Sequence, residues 1–88
     1  MKVFTISILD KNTTDLDINA FNERDKALDF SAAYVRKWIN SYTHVHACAQ
    51  WVNEINNFLS KEQILKAVDV FNYRQNRFVV EFNIVEVK

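Results

Sequence analysis

Three side chains able to bind a metal or act as a nucleophile lie close together, as the H-x-H-x-C run of His44, His46 and Cys48. On a strand, the period of two would put all three on one side. On a helix only His44 and Cys48, four apart, are neighbours. A structural zinc takes four ligands, and a catalytic zinc takes three plus water. The chain has no further His or Cys to complete such a set. A Cys–His nucleophile pair needs a low-pKa thiolate and a third group to orient the base. Cys48 falls on an apolar stripe, which raises a thiol's pKa. The run therefore reads as a helix start with two solvated histidines and a buried thiol. No metal, no cofactor and no catalytic residue are expected, and the chain is read as a non-enzyme.

The carboxylates are more suggestive. Residues 10–29 hold Asp10, Asp15, Asp17, Glu23, Asp25 and Asp29 against Lys11, Arg24 and Lys26. If Leu16, Ile18 and Ala20 point inward from a strand, Asp15 and Asp17 point outward. Glu23 and Asp25 would then begin a helix close by, so that four carboxylates share one edge. Such a patch suits a basic partner surface, although ordinary solvated charge has the same appearance. Tyr42 and Tyr73 fall at element ends and are the candidate exposed aromatic anchors. The expected partner-binding residues are thus Asp15, Asp17, Glu23, Asp25, Tyr42 and Tyr73. The bases Arg36, Lys37, Lys61, Lys66, Arg74 and Arg77 are scattered, which disfavours a nucleic-acid groove.

The elements that must hold these residues follow from periodicity. Residues 2–9 alternate, with Phe4, Ile6 and Ile8 on one face. Polar residues 10–14 make a hairpin loop, and 15–21 form a second strand. Asn22 caps a helix over about 23–40, whose stripe is Ala27, Leu28, Phe30, Tyr34, Val35, Trp38 and Ile39. Thr43 caps a second helix from His44 to Leu59. One kinked helix over 23–59 remains an alternative, because no Pro or Gly marks the break. Ser60-Lys61-Glu62-Gln63 has the pattern of a capping box. After it, residues 64–73 fit either period; a short helix passing into a strand at about 68–73 is the reading adopted. Residues 77–87 alternate again as the last strand. The expected fold is one α+β domain spanning 1–88. Its antiparallel sheet has about four strands in the order ββααββ, with two or three helices packed on one face.

Composition narrows the class further. The chain has 88 residues, 49% apolar, with eleven acidic and eleven basic side chains. That is enough for one packed core and argues against disorder. A single cysteine excludes an internal disulfide and suits a reducing compartment. No apolar run is long enough for a signal peptide or a membrane span. Glycine and proline are both absent. Gly-rich phosphate loops are therefore excluded, and turns must use Asn, Asp, Ser or Thr. Asn12, Asn40, Asn57 and Asn76 are placed to take the left-handed backbone that glycine would normally supply.

The opening VFTISI of residues 3–8, the hairpin, and then Phe21-Asn22-Glu23-Arg24-Asp25-Lys26-Ala27-Leu28 resemble small phage-encoded proteins of the anti-CRISPR, host-takeover type. Ala20 stands where a glycine is common there, and Asn22 where Ser or Thr is common. The resemblance covers the first third of the chain and, more loosely, the final strand. It implies a mobile-element origin and carries over no functional residue. The expectation is a non-catalytic protein-binding inhibitor acting in the host cytoplasm on a host protein or ribonucleoprotein complex. Membrane and direct nucleic-acid partners are not expected, and a homodimer is left open. The alternative is a small nucleic-acid-binding regulator.

Overall fold

The structure is a computed structural model and describes residues 1–42 and 49–87. Its elements are β1 (Lys2–Asp10), β2 (Asp15–Phe21), α1 (Arg24–Ile39), a 3-10 turn (Asn40–Tyr42), α2 (Ala49–Ser60), α3 (Ile64–Arg74) and β3 (Phe78–Glu86). The strands form one antiparallel sheet in the order β2-β1-β3. The α+β class and the helices on one side of the sheet agree with the sequence. The strand count does not. Residues 68–73, expected as a strand, lie within α3, so among the described residues the sheet has three strands rather than about four. Helical period prevails because Ala67, Val68 and Phe71 form one buried stripe while Asp69 and Tyr73 stay exposed. An alternating strand would have put Phe71 with Asp69 and Tyr73.

Ile6 and Ile8 of the central strand meet Val35 and Ile39 of α1, and Phe71 of α3, in one core. Val52, Ile55 and Leu59 of α2 pack against α3 and complete it. The start of α2 proposed at Thr43 and His44, and whether α1 and α2 join as one helix, lie outside the described residues. So do His44, His46 and Cys48.

The turns contradict the asparagine expectation. Among the described residues, those with positive φ are Thr14 at 62° and Glu62 at 58°. Asn40 has φ −61°. Glu62 ends α2 in a Schellman motif: Gln63 N–H donates to the Phe58 carbonyl at 2.9 Å and Glu62 N–H to the Leu59 carbonyl at 3.1 Å. Ser60 is the last residue of α2 and bonds back to Asn57, so the apparent capping box is a helix end. The true N-cap of α3 is Gln63, and that of α1 is Glu23 rather than Asn22.

The largest correction concerns β2. Residues directly opposite in an antiparallel pair share a face. Asp17 lies opposite Ile8, Asn19 opposite Ile6 and Phe21 opposite Phe4. Asp15, Asp17, Asn19 and Phe21 therefore face the helix side, and Leu16, Ile18 and Ala20 face away from it. The expected orientation is inverted. Phe21 decides the outcome, because its ring packs on Phe30 of α1 with centroids 5.4 Å apart. Leu16 and Ile18 are left 58% and 64% exposed. The two acids pay no burial cost on the helix side, because the helices stop short of this strand's first half and leave both exposed.

Candidate protein-binding surface

The two edges of the sheet are built differently. On β3, the Asn72 side chain donates from Nδ2 to the Val80 carbonyl at 2.7 Å, and its Oδ1 accepts from Val80 N–H at 2.9 Å. Gln75 does the same one pair along: its Oε1 accepts from Phe78 N–H at 2.7 Å and its Nε2 donates to the Phe78 carbonyl. Each amide reproduces the two bonds that a neighbouring strand would make. The first half of the β3 edge is thereby closed.

These bonds also fix which backbone groups point where. Phe78 and Val80 direct their N–H and C=O away from β1, so their odd-numbered neighbours bond to β1. Antiparallel alternation then carries across the sheet. Even-numbered residues of β1 bond to β2, and Leu16, Ile18 and Ala20 of β2 point their backbone groups outward. Among the described residues, no side chain is bonded to these three positions. The β2 edge is open over its length.

The face of the sheet turned away from the helices is also open. Leu9 lies between Leu16 and Val79, and Ser7 between Ile18 and Glu81. Leu16, Ile18 and the half-buried Leu9 and Val79 thus gather into an apolar patch at the hairpin end. Contiguous exposed apolar patches commonly mark contact sites.

The sequence-predicted residues are not brought together. Asp15 and Asp17 sit at the hairpin end of β2, on its helix-side face. Glu23 and Asp25 lie beyond the other end, roughly 20–25 Å along the chain's extended run, well past the ~8 Å screening length at physiological salt. Glu23 pairs with Lys26 at 3.7 Å, and Asp25 lines a shallow groove with Arg24, Asp29 and Glu62. Tyr73 is 81% exposed, with the Arg74 guanidinium 5.4 Å from its ring centre. It sits on α3 beside β3, so β1 and β3 separate it from β2. Tyr42 closes the 3-10 turn after α1.

Sequence reasoning missed Arg77. Its guanidinium meets the Asp10 carboxylate at 3.2 Å and lies over Trp38 and Phe78, 5.3 and 4.9 Å from their centroids. The hydrogen bond from Arg77 lowers the Asp10 pKa below its ordinary value. Burial raises that of the nearby Tyr34 phenol. No signal in the sequence links residues 67 positions apart, and the pairing of β1 with β3 alone creates the contact. Among the described residues no cluster of three metal-ligating side chains occurs. No described helix is long and apolar enough to cross a membrane. No protein-family model, curated protein or solved structure matches the chain.

Proposed function

We propose that this chain is a non-catalytic protein-binding domain whose contact surface is the open β2 edge with its flanking side chains. One observation carries the reading: Leu16 and Ile18 stand exposed on a strand whose outward backbone groups are unpaired along its length, while the first half of the opposite edge is closed by Asn72 and Gln75. An edge strand left open in this way offers main-chain hydrogen bonds, and alternate side chains give selectivity. The narrower proposal is an inhibitor from a phage or mobile element that acts on a host defence or regulatory complex in the host cytoplasm. Its support is the resemblance of the first third of the chain. The alternative, a nucleic-acid-binding regulator, is less favoured, because the open face carries neither an aromatic platform nor a cation.

The test is capture from a bacterial host lysate, followed by binding kinetics with the partner identified. Leu16→Thr with Ile18→Thr should weaken binding at least about tenfold, which is about 1.4 kcal/mol. Asp15→Lys with Asp17→Lys should slow association at low salt if the partner is basic. Full affinity in the apolar double variant, with its fold intact, would move the contact surface elsewhere.

A further inference from the structure

We infer that the β2 edge pairs with the β2 edge of a second copy of this chain, joining two three-stranded sheets into one continuous antiparallel sheet across a two-fold axis. This pairing rests on the reading of the β2 edge as the contact surface and names a second copy as the strand that takes it, which leaves a host partner the exposed apolar face at Leu16 and Ile18.

Register singles out one pairing. Only Leu16, Ile18 and Ala20 point their backbone groups outward, so these three must form the hydrogen-bonded pairs with an added strand. Among two-fold arrangements, the one centred on Ile18 pairs all seven residues of β2. It sets Ile18 against the second copy's Ile18, and Leu16 against the second copy's Ala20. On the helix side it sets Asp17 against the second copy's Asn19, and Asp15 against the second copy's Phe21. No carboxylate meets a carboxylate directly. Sliding the axis to Asp17 would oppose Asp17 to itself and cut the overlap, and like charges directly opposite destabilise a sheet. The register of greatest overlap is thus one that charge permits.

The charges on β2 also make the edge selective. Charges on an edge strand normally discourage pairing with apolar strands. Asp15 and Asp17 do this here for any strand that alternates apolar residues on the helix side. A second copy instead offers the Asn19 amide as a donor to Asp17. The open-face layer of the junction is then apolar throughout, and on the helix side the two Asp17–Asn19 pairs flank the axis while Asp15 and Phe21 face each other only at the two ends. The edge also has steric room. The helices stop short of the first half of β2, since Asp15, Leu16, Asp17 and Ile18 are all exposed. A second strand can be added there without displacing a helix.

An edge contact of seven residues belongs to the small, weak class of interfaces. The expected dimer therefore has a dissociation constant in the micromolar range, and moderate salt tightens it by screening the diagonal Asp17 carboxylates. Sedimentation velocity across micromolar to millimolar concentrations tests this, with residue-resolved amide hydrogen exchange on the same samples. We expect concentration-dependent dimerisation and protection that rises specifically at Leu16, Ile18 and Ala20. Ile18→Pro removes an outward donor that an edge strand does not use internally, and should weaken the dimer at least about tenfold. Ile18→Lys, which opposes two ammonium groups on the axis, should do the same should the proline variant misfold. A chain that stays monomeric throughout would overturn the inference. So would a dimer whose new protection falls on Phe82 and Ile84 of β3, or on no backbone amide, as in face-to-face stacking. Protection of β2 that appears only when an unrelated protein is added would assign the edge to a different strand.

Discussion

Arg77 and Asp10 show how much one long-range pair can organise. Arg77 reaches from the start of β3 to the end of β1, and its guanidinium lies against Trp38 and Phe78 while it grips the carboxylate. Bonding from Arg77 holds the folded pKa of Asp10 below its ordinary 3.8. A depressed carboxylate contributes stability that is fully present above the unfolded pKa and is lost as pH falls through the folded one. Acid titration of stability should therefore be flatter below about pH 4 in Asp10→Asn than in the parent chain. Parallel titration curves, followed by tryptophan fluorescence, would show that the pair is solvated and idle. Gln75 is the other residue of consequence, buried and bonded at both ends of its amide. Gln75→Leu should cost about 1–3 kcal/mol, because Phe78 keeps a backbone donor and acceptor with no partner. Neither residue was legible as special. A polar side chain in a turn carries no mark of the strand edge it will close, since that edge exists only after β3 has docked on β1.

Among the elements, legibility followed the strength of one period over its rival. β1 and β3 alternate without ambiguity, and wide stripes mark α1 and the described part of α2 as helical, while the sequence leaves open whether the two join. The segment after α2 was not. Residues 68–73 satisfy both periods, and the choice was made by the partner that α3 finds in Val52, Ile55 and Leu59. The S-K-E-Q sequence misled for a related reason: a helix end and a helix start both favour polar side chains. Its backbone gives the decision away, because Glu62 sits at φ 58° in the position that usually belongs to glycine. Side chains with a Cβ are strained there. Glu62→Gly should therefore raise stability by about 0.5–1 kcal/mol, even after the entropy gained by the unfolded chain. A denaturation midpoint that falls instead would mean the glutamate makes a compensating contact across the groove it shares with Asp25.

At the scale of the whole molecule, the sheet has one covered face, one open face and two unequal edges. Here the sequence reading failed by one residue of parity. Leu16, Ile18 and Ala20 outnumber Phe21 as apolar residues, yet Phe21 alone has a partner ring, on Phe30, and it carries Asp15 and Asp17 with it to the helix side. Counting apolar residues cannot reveal that a strand is at an edge, where little besides its last side chain is buried. The consequence is a difference in stability within one sheet. β3 is tied to β1 and to α3 through buried Phe78 and Val80 and the amides of Asn72 and Gln75. β2 is tied mainly by its ladder to β1 and by Phe21. Local opening should therefore release β2 well before β3. The alternation of backbone bonds makes this measurable within β1 alone. Amides of Thr5, Ser7 and Leu9 bond to β3, whereas those of Ile6 and Ile8 bond to β2. In native-state hydrogen exchange at low protein concentration, Ile6 and Ile8 should exchange faster than Thr5 and Ser7 despite their deeper burial, through openings that depend little on denaturant. A uniform rate along β1 would show that the sheet opens as one unit, and that its free edge is held as firmly as its closed one.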